Sequence, residues 1–165
     1  MKMSVLYFSK SGNTKKMAEY ICEGMMKVNN VEAKAMSIDD VDADFVKESN
    51  CVVVGSPVYY TSMAGEMKLW LDKESGKLGM GGKLCGAFAT SAFHYGGGEI
   101  TIQNILIHLL FNGGMAYSGG SAHGAPPIHL GPIAFGSDMD SFKDLFVTYG
   151  ERMATRAFGL FTTCC

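Results

Sequence analysis

The chain has 165 residues and a formal net charge of −2, with 47% hydrophobic and 18% charged residues. This length is enough for one domain with a full-sized core, and the balanced charge argues against a nucleic-acid-binding surface. Because no apolar run approaches the roughly 20 residues of a membrane span and residues 1–4 lead straight into a strand without a signal-peptide core, we expect a single cytoplasmic domain over residues 1–165.

Strands and helices alternate along the chain. The sequence predicts strands at residues 2–8, 31–36, 51–54, 84–90 and 116–117, and helices at 13–27, 63–73, 99–111 and 138–158. A short helix or loop is expected at 39–47, a long loop at 118–136, and Ser137 or Asp138 as the N-cap of the last helix. Alternation of this kind indicates parallel strands with helical crossovers, and continuous apolar strands indicate a sheet covered on both faces. The prediction is a doubly wound α/β sandwich with five strands.

Five cysteines are spread through the chain without C-x-x-C or metal-ligand spacing. Cys22, Cys51 and Cys85 lie in apolar segments, and Cys164 and Cys165 come last. Such a scatter is typical of a reducing compartment, where a thiol packs as a small hydrophobe. We expect no metal site, and we interpret the vicinal pair as a frayed terminus, with a redox role as the alternative.

The turn between the first strand and the first helix is rich in hydroxyl groups and reads Ser9-Lys10-Ser11-Gly12-Asn13-Thr14. Backbone N–H groups at a helix start bind oxyanions well, and Ser and Thr hydroxyls can complete the coordination. We therefore predict that this turn binds the phosphate of a nucleotide-like cofactor. The alternative is an ordinary strand-to-helix turn with Asn13 or Thr14 as the N-cap.

Aromatic residues and glycines follow the third and fourth strands. These segments read Ser56-Pro57-Val58-Tyr59-Tyr60-Thr61-Ser62 and Thr90-Ser91-Ala92-Phe93-His94-Tyr95-Gly96-Gly97-Gly98. Ligands of a doubly wound sheet bind at the carboxyl ends of its strands, and Tyr59, Tyr60, Phe93 and Tyr95 are suited to stacking on a flat ring system. The alternative is that some of these aromatics only cover the ends of the sheet.

These three segments resemble those of the flavodoxin-like FMN flavoprotein superfamily, and the likeness covers most of the chain. The glycine-rich third segment is most similar to that of NAD(P)H:quinone oxidoreductases of the tryptophan-repressor-binding-protein type and of related NADPH-dependent FMN reductases. That type usually has a histidine directly before its glycines, where this chain has Tyr95, with His94 one place earlier. The resemblance implies a three-layer α/β/α sandwich with strand order 2-1-3-4-5.

The resemblance also implies an FMN site. Its cofactor-binding residues would be Ser9, Lys10, Ser11, Gly12, Asn13 and Thr14 at the phosphate, Pro57, Val58, Tyr59 and Tyr60 on one side of the isoalloxazine, and Thr90, Ser91, Ala92, Phe93, His94, Tyr95, Gly96 and Gly97 on the other. NAD(P)H would reduce the flavin, which would then reduce a quinone or a similar small acceptor. His94 or Tyr95 would donate a hydrogen bond to the acceptor oxygen.

A flavodoxin that carries electrons without a substrate of its own is the second hypothesis. Such carriers tend to be strongly acidic, and a net charge of −2 supplies little steering field, which favours the enzyme.

Two segments, residues 105–110 and 158–161, are apolar nearly all round. Apolar surface beyond what one chain can bury predicts a homo-oligomer, a dimer or a tetramer. In this oligomer the loop after Tyr117 could complete a neighbour's flavin site. His108, inside the first segment, is interpreted as a satisfied core or interface residue.

Overall fold

The computed structural model describes residues 1–162, so Cys164 and Cys165 lie outside the described residues. The strands are β1 (Lys2–Tyr7), β2 (Glu32–Ser37), β3 (Cys51–Tyr59), β4 (Ser62–Met63), β5 (Leu84–Ser91), β6 (Met115–Ala116) and β7 (Ile133–Phe135). The α-helices are α1 (Asn13–Met25), α2 (Ala43–Glu48), α3 (Gly65–Glu74), α4 (Gly98–Phe111) and α5 (Lys143–Thr162). Short 3₁₀ turns at Ser75–Leu78 and Asp140–Phe142 follow α3 and precede α5.

The main sheet is parallel and has the order β2-β1-β3-β5-β6. Val5 of β1 pairs with Ala35 on one side and with Val53 on the other, and Val53 pairs with Gly86 of β5. This arrangement confirms the predicted flavodoxin-like α/β fold and its strand order 2-1-3-4-5.

Helices cover both faces of the sheet. The side chains of α1 and α5 form one core with the strands, and those of α2, α3 and α4 form the other. Glycines allow α1 and α5 to approach closely, because a Cβ on Gly24 would lie 1.9 Å from the carbonyl oxygen of Val147 and one on Gly150 would lie 2.0 Å from that of Ile21. The sheet is therefore buried on both sides, as its continuous apolar strands indicate.

The third strand is longer than predicted. The sequence Gly55-Ser56-Pro57 was expected to end it at residue 54, but β3 continues to Tyr59. Pro57 is tolerated because β1 pairs with β3 only up to Gly55, so the missing N–H of the proline costs no hydrogen bond with β1. Gly55 gives room to the ring of Phe88, whose Cζ would be 2.0 Å from an added Cβ.

The fifth strand position is filled by two pieces. β6 pairs with the start of β5 at Leu84 and Cys85, and β7 pairs with its end at residues 89–91. The strand predicted at 116–117 is therefore present, one residue earlier, as β6, whereas the prediction of an uninterrupted loop at 118–136 was wrong. A three-residue strand inside a segment rich in Gly, Pro and His is too short to give a periodic signal.

The last helix begins later than predicted. A 3₁₀ turn precedes it, and α5 starts at Lys143. Neither Ser137 nor Asp138 is its N-cap, and the backbone oxygen of Asp138 accepts a hydrogen bond from Ser141 Oγ at 2.7 Å. The polar residues Ser137 and Asp138 therefore indicated the approximate start of α5, but neither is its N-cap.

Candidate functional site

The carboxyl ends of β1, β3 and β5 bring the three predicted segments together. The hydroxyl oxygens of Thr14 and Thr90 are 2.8 Å apart and buried, which joins the first segment to the third. A Cβ on Gly97 would lie 2.6 Å from the carbonyl oxygen of Thr61, so the third segment also packs against the second. The three segments thus meet at one edge of the sheet, and we call the region between them the crevice.

The first segment gives α1 an N-terminus without a side-chain cap. Gly12 is the N-cap, with φ 92°, and its N–H donates to Ser9 Oγ at 3.1 Å. The alternative with Asn13 or Thr14 as N-cap is therefore wrong, since the Thr14 hydroxyl is engaged with Thr90. First-turn N–H groups of a helix have no intrahelical acceptor, and the helix dipole favours an anion beside them.

The other predicted members of this segment are accessible. Ser9 is half-buried, and Lys10, Ser11, Gly12 and Asn13 are exposed. By contrast α2 is closed at its start by Asp42, whose carboxylate accepts the N–H of Phe45 at 3.0 Å. Free amides, exposed hydroxyls and a lysine fit a phosphate group at α1.

The second segment forms a tight hairpin between β3 and β4. Tyr59 pairs with Ser62, and the two residues between them, Tyr60 and Thr61, both have left-handed φ values of 48° and 67°. Positive φ at both positions is the geometry of a type I′ turn, and it is strained for a bulky or β-branched residue. Strain of this kind is concentrated at functional sites.

The hairpin exposes its aromatic side chains. Pro57 is buried and Val58 half-buried, whereas Tyr59 is 39% exposed and Tyr60 fully exposed. Ser56 holds the base of the hairpin, because its hydroxyl donates to the carbonyl oxygen of Pro57 at 2.8 Å and accepts the N–H of Ala64 at 2.9 Å. One wall of the crevice therefore carries apolar ring surface on a fixed backbone.

The third segment is folded back on itself by Ser91. The Ser91 hydroxyl donates to the carbonyl oxygen of Phe93 at 2.8 Å, and a Cβ on Gly96 would lie 2.1 Å from the same hydroxyl. Ala92 is exposed, and Phe93 and Tyr95 are 76% and 94% exposed. The third segment thus also presents uncovered aromatic surface.

His94 is held by neighbours that the sequence did not reveal. Its ring centroid lies 4.7 Å from that of Tyr95 and 4.5 Å from that of Phe135 in β7, and Phe135 packs in turn on Phe142 at 4.9 Å. Phe135 therefore belongs to the candidate site, and sequence reasoning missed it. The only signal was the short apolar run Ile133-Ala134-Phe135 within a polar loop.

An ion-pair cluster fixes α1 beside the crevice. Asp140 accepts hydrogen bonds from Lys16 Nζ, at 2.7 Å, and from the Tyr20 hydroxyl. These two contacts, the lysine first, hold the pKa of Asp140 below its usual value, and the same contact raises the pKa of Lys16. The cluster ties the first turns of α1 to the 3₁₀ turn before α5.

Other features lie away from the crevice. A cavity of ≈470 Å³ beside Tyr117 and Arg152 has no lining residue from the three segments. Within residues 1–162, no group of three His, Cys, Asp or Glu side chains is placed to hold a metal ion. No helix in this part of the chain is long and apolar enough to cross a membrane.

Fold and crevice together define a doubly wound α/β protein of the flavodoxin-like class. Residues 4–91 match the family model of the flavodoxin domain. The chain is 39% identical over 161 residues to a flavodoxin of Clostridium saccharobutylicum, an alignment that covers 98% of this chain and all of the relative. The chain therefore belongs to the flavodoxin family, and this membership implies FMN as its cofactor and electron transfer as its type of chemistry.

The chain is less closely similar to a quinone dehydrogenase and to a flavodoxin of known structure. An NAD(P)H dehydrogenase (quinone) of Chromohalobacter salexigens is 29% identical over 197 aligned positions, which cover 94% of this chain and 96% of the relative. The solved structure of a flavodoxin from the domain Archaea superposes with a TM-score of 0.79 at 27% identity and covers 95% of this chain and 99% of that one.

Proposed function

We propose that the protein holds FMN in the crevice between residues 9–14, 56–61 and 90–97 and passes electrons through it. The observation that carries this proposal is the meeting of an uncapped, hydroxyl-lined helix start with two walls of exposed aromatic side chains. The flavin, when bound, supplies the redox chemistry, and the protein supplies binding and orientation.

The phosphate would be bound by the turn before α1. Ser9, Ser11 and Asn13 offer side-chain donors, Lys10 offers a positive charge, and the first-turn amides of α1, which lack a side-chain cap, offer backbone donors. Gly12 lets the backbone curl into this shape, because its φ of 92° is disfavoured for residues with a Cβ. Thr14 would act through its bond to Thr90, which fixes the turn against β5.

The ring would lie between the exposed aromatics of the second and third segments. Tyr59 and Tyr60 come from one wall and Phe93 and Tyr95 from the other, so the ring would cover apolar surface on both. Gly97 would bring backbone close to the ring edge, since its packing on Thr61 leaves no room for a side chain.

For the reaction, electron carriage is the function that the observations support best. The flavodoxin of C. saccharobutylicum aligns over its whole length with this chain. The alignment with the quinone dehydrogenase spans 197 positions, more than the 165 residues of this chain, so that relative has extra residues. The small net charge of this chain favours an enzyme, whereas its match in length to the C. saccharobutylicum flavodoxin favours an electron carrier.

Reduction of a quinone or similar acceptor by NAD(P)H is the second candidate. It is favoured by the glycine-rich third segment and by the similarity to the quinone dehydrogenase. In this case His94 or Tyr95 would donate a hydrogen bond to the acceptor oxygen, and the contact of the His94 ring with Phe135 would keep that donor in place.

Two measurements test these proposals. The purified protein should bind FMN with quenching of flavin fluorescence, and it should bind riboflavin, which lacks the phosphate, at least tenfold more weakly. Absence of FMN binding would remove the whole proposal. The loaded protein should then oxidise NADH or NADPH in the presence of a quinone only when a separate reductase is added; steady turnover without a reductase would favour the enzyme.

The cellular compartment, the number of domains and the oligomeric state of the protein are also proposed. Burial raises the pKa of the Cys22 thiol to about 12 and that of Cys85 to about 11, as expected of unreactive thiols in a reducing cytoplasm. We propose a single domain that binds no nucleic acid and forms a homo-oligomer. The apolar surface that supports the oligomer lies on α4.

A further inference from the structure

The solvent side of α4 carries a line of residues at coiled-coil spacing. Ile100, Asn104, Ile107 and Phe111 follow one another at intervals of four, three and four. Ile100 is 52% exposed, Ile107 is 55% exposed and Phe111 is 87% exposed, and Asn104 is exposed as well. We call these four residues the α4 seam.

The seam is not needed for the fold of its own chain. α4 packs on the sheet through a different face, which holds Gly98, Thr101, Ile102, Ile105, Leu106 and Leu109. A helix with one apolar stripe toward its own core and a second toward solvent is typical of subunit contacts. Apolar spacing of 3.5 residues on average is the pattern by which helices pack on helices, and one polar Asn within it sets register.

A groove next to the seam is ready to receive a side chain. Its volume is ≈630 Å³, and it lies between the start of α3 and α4, with Asn104, Ile107 and Phe111 among its lining residues. His108 closes one edge, where its Nε2 lies 3.0 Å from the carbonyl oxygen of Leu71, as expected of a satisfied interface residue. The seam and groove together give a ridge and a hollow on one surface.

The charges at this groove cancel each other. Lys68 Nζ pairs with the Asp72 carboxylate at 2.6 Å, and His108 Nδ1 lies 3.8 Å from the same carboxylate. A surface without net charge favours an apolar partner over a strongly charged one.

The exposed apolar area is sufficient for a symmetric pair. Phe111 is almost fully exposed, and Ile100, Ile107 and Leu110 are each about half exposed. At about 150–200 Å² for each large side chain, this is on the order of 400 Å² of apolar surface per copy. Two copies bury twice that amount, and the exposed polar residues Gln103 and Lys68 at the rim and Asn104 within the seam raise the total to about 1,000 Å², the smallest total expected of a specific interface.

We propose that a second copy of this chain packs on the α4 seam, in a two-fold dimer with Asn104 near the axis. This inference deepens the proposed homo-oligomer by naming its surface. A two-fold contact uses the same patch on both copies, so the ridge of one seam enters the groove of the other. Ser62 and Met63, which line the groove, directly follow the Tyr60-Thr61 turn, and the second copy therefore lies beside one wall of the cofactor crevice.

The test is sedimentation equilibrium of the full chain and two variants. The parent chain should be a dimer, and Ile107→Lys should raise its dissociation constant about 100-fold or more, because like charges then meet at a desolvated contact. The matched control is Leu160→Lys, which places the same charge at an exposed apolar position of α5 and should leave the dimer intact. FMN binding and the thermal melting curve report whether each variant is folded.

The outcomes separate the two proposals. A monomeric parent chain overturns the homo-oligomer and the interface together. A parent dimer that survives Ile107→Lys overturns only the α4 seam, and its dissociation with Leu160→Lys would place the interface on α5 instead. Near the middle of the seam, Asn104→Cys in a Cys164→Ser/Cys165→Ser background should be joined to its copy by a short bis-maleimide, whereas the background chain without this cysteine should give no cross-linked dimer.

Discussion

The side-chain hydroxyls of Thr14 and Thr90 are 2.8 Å apart and buried, and they join the first turn of α1 to the end of β5. β3 lies between β1 and β5 in the sheet, so this contact crosses a whole strand at the carboxyl edge. The contact fixes the position of the proposed phosphate-binding turn, residues 9–14, relative to the segment proposed to bind the flavin ring, residues 90–97.

Replacing Thr14 by valine should therefore destabilise the protein and weaken FMN binding. The substitution keeps the shape but leaves the Thr90 hydroxyl buried without its partner, which costs about 1–3 kcal/mol of unfolding free energy. Urea denaturation of the FMN-free protein measures this loss. The double variant Thr14→Val/Thr90→Val should recover part of it, because both polar groups are then removed. A single variant as stable as the parent chain would contradict the structural role of the bond.

Gly97→Ala should damage both the fold and the crevice. The backbone at Gly97 has φ 101°, and the new Cβ would lie 2.6 Å from the carbonyl oxygen of Thr61, so the two loops must separate. Gly79→Ala is the matched control, because Gly79 also has a positive φ, 64°, but no atom within 4 Å of an added Cβ. Both variants should lose about 1 kcal/mol from backbone strain, and only the Gly97 variant should also lose FMN affinity. Equal FMN affinity in the two variants would mean that the contact with Thr61 is unimportant.

The fold was predictable where the chain is buried on both sides. Continuous apolar runs such as Val52-Val53-Val54 identify central parallel strands, because successive side chains pack against helices on opposite faces of the sheet. β7 was not predictable, since Ile133–Phe135 becomes a strand only by pairing with the end of β5. The start of α1 at Asn13 was predicted correctly, and only the alternative with Asn13 or Thr14 as N-cap was wrong, because the Thr14 hydroxyl bonds across the sheet to the distant Thr90.

The location of the proposed site, at the carboxyl ends of three strands, was predictable from the sequence. Parallel topology alone brings the segments after β1, β3 and β5 to the same edge. The hairpin at Tyr60 and Thr61 was missed, because neither residue type favours a left-handed φ and the pairing of β4 imposes it. Phe135 was missed because its contact with His94 depends on β7.

Tyr60→Gly should have opposite effects on stability and binding. Tyr60 has φ 48° and a fully exposed side chain, so glycine relieves strain and removes no packing within the chain. We expect the FMN-free protein to gain about 0.5–1 kcal/mol and FMN to bind about 3- to 10-fold more weakly through lost stacking. Thr61→Gly should give a similar gain in stability without the loss of stacking. Isothermal titration and urea denaturation measure the two effects; unchanged FMN affinity in the Tyr60 variant would exclude that side chain from the ring site.

Asp140→Asn should remove a pH-dependent part of the stability. The pKa of Asp140 is lowered from 3.8, first by Lys16 and then by Tyr20, so the folded state favours the ionised carboxylate. Its contribution is fully present above the usual pKa and is lost as the pH falls through the lowered one. The difference in unfolding free energy between the parent chain and the variant should therefore be constant above about pH 5 and shrink below about pH 3.5. High salt should reduce it, since the pair is exposed.

Arg152→Lys should release the loop at residues 120–126 from α5. The Arg152 guanidinium donates to the carbonyl oxygen of Pro126 at 2.8 Å and, through its other nitrogen, to those of Ala125, Gly124 and His123 at 3.2–3.3 Å. Lysine offers a single ammonium group without this planar fork, so most of these carbonyl oxygens lose their donor. We expect a loss of about 1–2 kcal/mol and rapid proteolysis within the loop.

Limited proteolysis followed by mass spectrometry locates the cleavage. Arg156→Lys is the control, because Arg156 lines the same cavity one turn further along α5 but is not the residue that holds these carbonyl groups. The Arg152 variant should be cut within 120–126 at least several times faster than the Arg156 variant, because the open state of a loop is populated according to its local stability. Equal cleavage rates would show that the loop is held by the hydrogen bonds of Tyr117 with His123 and of Ile128 with Gly120 and not by the arginine. FMN affinity should be unchanged in both variants, since neither arginine lies in the crevice.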